Sequence, residues 1–269
     1  MTEAAAPAPA PARLRPPRSP WRDVWDQFRS HKGALAGLFI LALILAFCFL
    51  GPLVWPHDPI TPNIRARFRP PSWDHPFGTE QLGRDIFARM MMGGQVSLVV
   101  GLSAMALSIL LGTLIGVLAG YFRRLDGLLM RLTDLFLSLP LLPLLLVMSL
   151  LFRERLSMEF GPKAGMFLLI VVAIAITSWM QTARIVRGDV LALKEREFVL
   201  AARSIGTPAR RIITRHVLPN VLSPVLVSGT LMIATAIITE SALSFLGLGF
   251  PPDFPTWGRL VADGMDRFQ

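Results

Sequence analysis

The sequence predicts an all-α bundle of membrane-spanning helices, and two features carry that prediction. Of its 269 residues, 53% are hydrophobic and only 17% are charged. The mean hydropathy is +0.54, and together these values are typical of an integral membrane protein rather than a soluble domain. The second feature is the clustering of apolar residues into long uncharged runs. A run of roughly 20 residues crosses the hydrocarbon core of a bilayer as one helix.

Five such runs predict five transmembrane helices. They are residues 34–55, 96–120, 136–152, 165–183 and 221–239. The first run is too long, and lies too far from the N-terminus, to be a cleaved signal peptide. In the third run, "SLPLLPLLL" contains Pro140 and Pro143, which predict a kink because proline removes a helical hydrogen bond. A kinked span often borders a transport pathway, so Pro140 is a candidate pathway residue.

The distribution of lysine and arginine predicts the orientation. With the N-terminus in the cytoplasm, the inner segments hold 17 of the 27 basic residues and the outer segments hold 10. Nine acidic residues nearly cancel the charge of the outer ten. The positive-inside rule therefore places the N-terminus in the cytoplasm of a multi-pass membrane protein.

These spans divide the rest of the chain. Residues 1–18 are rich in alanine and proline and predict a disordered cytoplasmic tail. Residues 19–33 predict an amphipathic helix lying in the headgroup layer, with Trp21, Val24, Trp25 and Phe28 on its apolar face. The first span, 34–55, is followed by an outer loop, 56–94. The main transmembrane domain then covers 95–269 and contains a cytoplasmic loop, 184–220.

Two features inside the spans predict contacts. The second span has small residues at every fourth position, which form one helix face where backbones can approach closely. The members of this stripe are Ala104, Ser108, Gly112, Gly116 and Gly120. Ionisable groups within spans are functional candidates, and Glu240 is the strongest; gating, substrate contact and helix packing are its alternatives. Asp134 follows Arg131 by three residues, a spacing that predicts a local ion pair.

The chain offers no pattern typical of an enzyme. None of its three lysines follows a glycine and precedes serine or threonine, which excludes a phosphate-binding loop. The four histidines lie outside the spans without metal-ligand spacing, so no metal site is predicted. A single cysteine, Cys48, excludes an intrachain disulfide and a cysteine metal cluster. We therefore expect a non-catalytic protein.

The most ordered polar stretch is "KEREFVLAARSIGTPARRIITRHVLPN", residues 194–220. It predicts two short helices separated by a turn. Phe198, Ala201, Ala202 and Ile205 form an apolar stripe on the first, and Gly206 ends that helix in a left-handed conformation. The second begins with Thr207 as its cap and Pro208 in its first turn. It exposes arginines that include Arg211, and it stops at Leu218–Pro219. Because the positive-inside rule accounts for the charge, the stripe predicts a protein partner and no nucleic acid.

This stretch resembles the cytoplasmic loop of ABC importer permeases, in which an Ala-Ala pair, a glycine four residues later and a Leu-Pro ending recur. Ala201, Ala202, Gly206 and Leu218–Pro219 match that pattern, whereas Leu200 stands where a glutamate often precedes the pair. "FGTEQLGRDIFARMMMGGQVSL" (77–98) and "ESALSFLGLGFPPDFPTWG" (240–258) are similar to segments of the dipeptide, oligopeptide and nickel permeases. The chain resembles the second of the two permeases in such systems.

The resemblance implies a type I importer permease that forms half of a pathway for di- or oligopeptides. Nickel or another small solute is the alternative cargo. Its implied partners are a homologous permease, two cytoplasmic ATPase subunits that bind ATP and Mg²⁺, and an external solute-binding protein; the chain itself binds no cofactor. It also implies a bacterial inner-membrane location and an ATPase-coupling role for the loop. Five spans instead of the family's six suggest a partial chain.

An independent secondary carrier or channel is the competing class of function. Such a protein would carry ionisable residues along several spans. Here only Glu240 and the Arg131–Asp134 pair qualify, which favours the importer subunit.

Overall fold

The computed structural model describes residues 20–251 and 253–265, so the predicted tail, 1–18, lies outside the described residues. Over these ranges the chain is nearly all helical, and its β-pairing is limited to one isolated bridge between Thr79 and Asp85. Four of the described helices are long and apolar enough to cross a membrane, and a bent pair of helices supplies a fifth crossing if it counts as one span. The all-α transmembrane fold class is confirmed.

By its internal contacts the chain divides into two units, one ending at Phe47 and the other beginning at Cys48. The first unit contains α1 (Pro20–Ser30) and most of α2 (Lys32–Phe49). The amphipathic helix thus ends at Ser30 rather than at residue 33, because the helical pattern breaks at His31. Within α1 the rings of Trp25 and Phe28 stack with their centroids 5.9 Å apart.

The second unit holds the remaining helices. In chain order they are α3 (Gly51–Val54), a 3₁₀ turn (Ile64–Ala66), α4 (Ile86–Tyr121), α5 (Arg123–Ser138), α6 (Leu141–Phe160), α7 (Pro162–Leu193), α8 (Glu197–Ser204), α9 (Ala209–Ile212), a π-helical turn (Ile213–Val217), α10 (Leu218–Phe245) and α11 (Trp257–Met265). Helix α4 begins before the apolar run that predicted it, so residues 86–94 are helical instead of part of an outer loop.

The small-residue stripe of α4 packs against α7. All five stripe residues are buried. A Cβ atom at Gly112 would lie 2.7 Å from the carbonyl oxygen of Trp179, and one at Gly116 would lie 2.6 Å from that of Ala183. Because ordinary Cβ contacts are longer than this, a larger side chain at either position would push the two backbones apart. The partner left open by the sequence, another helix of this chain or another subunit, is therefore a helix of this chain.

The third predicted span is broken rather than kinked. Helices α5 and α6 meet at an angle of 89°, and Leu139 and Pro140 between them are extended. Pro140 has no N–H to continue the ladder of α5, which explains why the helix ends there. The predicted pairing of Arg131 with Asp134 is wrong, because Asp134 reaches across to the guanidinium of Arg184 on α7.

A second ion pair holds the other end of α5 against α7. The two carboxylate oxygens of Asp126 accept hydrogen bonds from Nε and Nη2 of Arg187. A planar guanidinium matches a carboxylate in this two-point arrangement, which fixes orientation as well as distance. The sequence spacing within α5 did not reveal either contact, since both partners lie on another helix.

The segment between α3 and α4 folds around the residues of "GTEQLGRD". Gly78 and Gly83 have positive φ angles of 71° and 75°, which glycine adopts without strain. Thr79 accepts a hydrogen bond from the backbone N–H of Arg69 at 2.8 Å. Asp85 caps α4 by accepting one from the backbone N–H of Ala88, also at 2.8 Å. The motif therefore sets the start of α4.

A buried ionic cluster joins this segment to the start of α4. Glu80 pairs with Arg84 and with Arg89, and all three side chains are at most 5% exposed. On α11, Arg259 Nε lies 2.9 Å from a carboxylate oxygen of Asp263. Burial raises the pKa of the Asp263 carboxyl above its ordinary value. Because desolvation makes unpaired charges costly, the two pairs of Glu80 hold this segment to the first turn of α4.

Candidate functional site: the coupling segment and the cavity beside it

The first half of the coupling segment, residues 194–220, is a helix with a well-defined end. Helix α8 stops at Ser204, and Gly206 follows with φ at +78°. The N–H of Thr207 donates to the carbonyl of Ala202 at 3.1 Å, and that of Gly206 donates to the carbonyl of Arg203 at 3.0 Å. These two bonds form a Schellman motif, which requires a left-handed residue at the position of Gly206.

The second half differs from the sequence prediction. The side chain of Thr207 does not cap the next helix; Pro208 occupies the N-cap position, and α9 begins at Ala209. The helix also does not stop at Leu218–Pro219. It passes through the π-helical turn, where the N–H of Leu218 donates to the carbonyl of Ile213, and continues directly into α10. Pro219 cannot donate a helical hydrogen bond, and the wider turn before it accommodates that loss.

The coupling segment is therefore continuous with membrane helices at both of its ends rather than a free loop. Residues 184–193 belong to α7, and residues 209–220 lead continuously into α10. Only α8 and its two flanking turns stand apart. Any force applied to this segment acts directly on the ends of two membrane-spanning helices.

One side of the coupling segment is packed and the other is exposed. Val199, Ala202, Ile212 and Val217 are buried in a cluster with valines of α4, α7 and α10. The opposite side of α8 presents an apolar surface: Phe198 is 45%, Leu200 41% and Ile205 82% exposed. Ala201 is also exposed on this side. The four residues of the predicted apolar stripe therefore do not share one environment. Ala202 is buried against the protein, whereas Phe198, Ala201 and Ile205 are exposed.

The exposed side also carries positive charge. The arginines of the segment that are exposed are Arg196, Arg203, Arg210, Arg211 and Arg215. Leu218 is 37% exposed, and Pro219 is exposed next to it. Exposed apolar groups rimmed by charged ones are typical of a protein docking surface.

Glu240 lies in the core at the far end of α10. Its side chain is fully buried and accepts hydrogen bonds from Ser97 at 2.8 Å and from Ser244 at 2.7 Å. The oxygen of Ser97 in turn accepts the backbone N–H of Trp257 at 3.3 Å. Glu240 thereby joins α4, α10 and α11, which favours the helix-packing alternative for this residue.

The rest of the "ESALSFLGLGFPPDFPTWG" segment supports the same junction. Gly247, with φ at +76°, ends α10 in a second Schellman motif. At Gly258 a Cβ atom would lie 2.3 Å from the carbonyl oxygen of Ser241, so α11 approaches α10 as closely as glycine permits. The segment is thus a compact structural joint.

Replacement of Glu240 by leucine should destabilise this joint, whereas replacement by glutamine should not. Leucine leaves the hydroxyls of Ser97 and Ser244 without their buried acceptor, at a cost of about 1–3 kcal/mol for each. Glutamine keeps the size and an acceptor oxygen. Thermal unfolding of the purified protein would show a clearly lower Tm for Glu240→Leu only. If Glu240→Gln kept its Tm but lost transport, the gating alternative would be correct instead.

A large cavity runs along the membrane helices between the α5–α6 junction, α7 and α10. Its volume is about 680 Å³. On α10 its lining includes a residue at every fourth position over 17 residues: Ser223, Val227, Leu231, Thr235 and Thr239. At 1.5 Å per residue this face extends about 24 Å, most of the thickness of a bilayer core.

Of the two candidate pathway residues, Glu240 lies outside the cavity lining and Pro140 lies next to it. Glu240 does not line the cavity, although its neighbour Thr239 does. Pro140 lies between Leu137 and Leu141, which both line it at the α5–α6 break. The cavity-lining residues of α7 and α10 were missed by the sequence analysis. The one signal for them was a set of serine and threonine residues within otherwise apolar spans, such as Ser223, Thr235 and Thr239 on α10.

Comparison with known proteins identifies the family. A family profile described as "Binding-protein-dependent transport system inner membrane component" matches residues 108–265. A second, described as "N-terminal TM domain of oligopeptide transport permease C", matches residues 19–71. The first match alone includes the coupling segment, the residues that line the cavity and, except for Ser97, the Glu240 joint.

Similar proteins align over most of the chain. The chain is 40% identical to the oligopeptide transport system permease protein OppC of Bacillus subtilis, over 91% of this chain and 77% of that protein. It is 39% identical to the dipeptide permease DppC of the same organism, over 93% and 75%. To the di/tripeptide permease DppC of Pseudomonas aeruginosa it is 37% identical, over 98% and 85%. The chain belongs to the binding-protein-dependent inner-membrane transport components, and within them to the ABC permeases of the dipeptide and oligopeptide type.

Proposed function

We propose that this chain forms one half of the membrane pathway of an ATP-driven importer for di- or oligopeptides. It pairs with a homologous permease, receives cargo from a solute-binding protein, and is driven by two ATPase subunits. Those subunits bind ATP and Mg²⁺, whereas this chain binds no cofactor and catalyses no reaction. Its location is the bacterial inner membrane, with the N-terminus in the cytoplasm.

The construction of the coupling segment carries this proposal. Val199 and Ala202 seat α8 on the membrane helices, while Phe198, Ala201 and Ile205 face outward. Because the segment continues into both α7 and α10, a subunit that grips α8 would move the helices that line the cavity. A surface with this mechanical connection suits the docking of an ATPase.

The charges of the same surface support its orientation. Five arginines of the coupling segment are exposed, against two exposed acidic residues, Glu195 and Glu197. Basic residues at the ends of spans are retained in the cytoplasm. ATP is also hydrolysed in the cytoplasm. An orientation with residues 194–220 in the cytoplasm therefore agrees with the positive-inside rule and gives the ATPase access to its docking surface.

The lining of the cavity favours a peptide over nickel. The described residues that line it carry hydroxyl, amide, thioether and hydrocarbon groups. Protein sites for divalent nickel typically use imidazole, which the cavity lining does not supply. Hydroxyl and amide groups suit the neutral peptide backbone, and a volume of 680 Å³ lies within the range of small-molecule sites.

The test is reconstitution of the full-length protein with its permease, ATPase and binding-protein partners in lipid vesicles. We expect the subunits to purify as one complex and to take up a radiolabelled dipeptide or tripeptide only when ATP is supplied on the ATPase side. A complex containing an ATPase that cannot hydrolyse ATP is the matched control.

Three results would contradict the proposal, each pointing to an alternative. Uptake by the chain alone, driven by an ion gradient without ATP, would indicate a secondary carrier. ATP-driven uptake of Ni²⁺ without any peptide would assign the other cargo. A chain that does not co-purify with the ATPase would remove the coupling role from residues 194–220.

A further inference from the structure

The polar groups on the cavity wall differ in whether they are free to bind cargo. The hydroxyl of Thr177 donates to the carbonyl of Ala173 at 2.9 Å, and that of Thr235 donates to the carbonyl of Met232 at 3.0 Å. Ser228 shares a hydrogen bond with Thr182 at 3.1 Å. These hydroxyls are occupied by their own helix or by the neighbouring one.

Gln181 and Ser178 are unoccupied. Both lie on α7, three residues apart and therefore on one helix face. Within 20–251 and 253–265 neither side chain hydrogen-bonds to another residue, and on α10 the same holds for the hydroxyl of Ser223. Gln181 is exposed, and it lies next to Thr182, whose bond to Ser228 fixes α7 against α10 at this level. Its amide therefore projects into the cavity from a firmly held backbone.

A primary amide matches one feature that every peptide shares. The side chain of glutamine offers two N–H donors and a carbonyl acceptor, and a peptide bond offers one donor and one acceptor. A peptide that leaves water for this cavity must replace the hydrogen bonds of its backbone, because an unpaired amide is costly in apolar surroundings. Gln181 supplies both replacements at once.

We propose that Gln181, assisted by Ser178, binds the backbone amide of a peptide as it passes along this wall. This assignment rests on the proposed function and adds its binding site and its selectivity. Because the lining residues are uncharged, the wall recognises the backbone without selecting for side-chain charge. Selection among peptides by charge then falls to the binding protein.

Two substitutions of Gln181 test this assignment in the reconstituted complex. Gln181→Leu removes the hydrogen bonds and should lower uptake of a neutral, a cationic and an anionic tripeptide by one common factor, about fivefold. Gln181→Glu adds a charge to a neutral wall and should change the ratio of cationic to anionic peptide uptake at least tenfold, relative to the native complex. Comparing each variant with the native complex cancels the preference of the binding protein.

The control is Thr230→Val, which removes a hydroxyl from α10 outside the cavity and should leave all three rates unchanged. Native uptake by both variants of Gln181 would overturn the assignment while leaving the proposed function intact. An equal loss for all three peptides in Gln181→Glu would also overturn it, because a structural defect does not discriminate by charge. Failure of the native complex to import any peptide would refute the proposed function itself.

Discussion

Gly116→Leu should abolish folding of the transmembrane domain. A Cβ atom at this position would lie 2.6 Å from the carbonyl oxygen of Ala183 and 2.7 Å from Cβ of Val186. The first of these atoms belongs to the backbone of α7, so it cannot turn aside as the end of a side chain can. Overpacking of a well-packed interior typically costs about 1–3 kcal/mol, and leucine adds three more carbon atoms beyond the Cβ atom that already clashes. That is a large part of the stability of a typical domain.

The measurement is the amount of folded protein in the membrane, followed by its Tm in detergent. We expect little or no folded Gly116→Leu protein, and a reduced Tm for Gly116→Ala. Gly188→Ala is the matched control, because it lies on α7 with no atom near the added Cβ. Normal folding of Gly116→Leu would show that α4 and α7 are not in close contact at this level.

The long apolar runs made four spans predictable from the order of residues along the chain, and the fifth predicted span corresponds to the bent pair of α5 and α6. Charge-free stretches of this length have one stable conformation in a bilayer, so each run between polar segments corresponds to a described helix or to the bent pair. The small-residue stripe was visible for a similar reason, since its spacing follows the helix period. Its partner was not, because nothing in the spacing of α4 distinguishes α7 from a helix of another subunit.

Helix ends and long-range pairs were harder to predict. The pairing of Asp134 with Arg184 joins residues 50 positions apart, and only the folded arrangement brings them together. Pro219 was expected to end a helix because it has no N–H to donate. The wider π-helical turn before it accommodates that missing hydrogen bond, and the helix continues. Gly206 was predictable, because a glycine that follows an apolar stripe is a helix-end signal wherever it occurs.

In the candidate site, too, local features could be predicted from the sequence and long-range ones could not. The coupling segment has a local pattern of apolar, basic and turn residues that is readable along the chain. The cavity wall is assembled from three separate segments, and Gln181 is a single polar residue in an apolar run. A lone glutamine there becomes informative only when its neighbours on α10 are known and when most hydroxyls of the wall are seen to be occupied.

Gly206→Val should uncouple the transporter from its ATPase while leaving the transmembrane domain folded. The left-handed conformation of Gly206 costs a non-glycine residue about 1–2 kcal/mol, and more for a β-branched side chain. No atom lies within 4 Å of an added Cβ, so this cost comes from the backbone alone and not from a clash. The end of α8 should open, which displaces Phe198, Ala201 and Ile205 from their common surface.

The expected result is at least tenfold weaker binding of the ATPase subunit and a matching loss of ATP-driven uptake, since about 1.4 kcal/mol corresponds to a factor of ten. The level of folded protein and its association with the partner permease should remain normal. Gly206→Asn is the matched control, because asparagine tolerates the left-handed conformation. Ile205→Asp tests the docking surface separately from the helix end. It leaves Gly206 in place but puts a charge at the C-cap of α8, on the most exposed apolar side chain of that surface. Native ATPase binding by both Gly206→Val and Ile205→Asp would exclude α8 as the docking element.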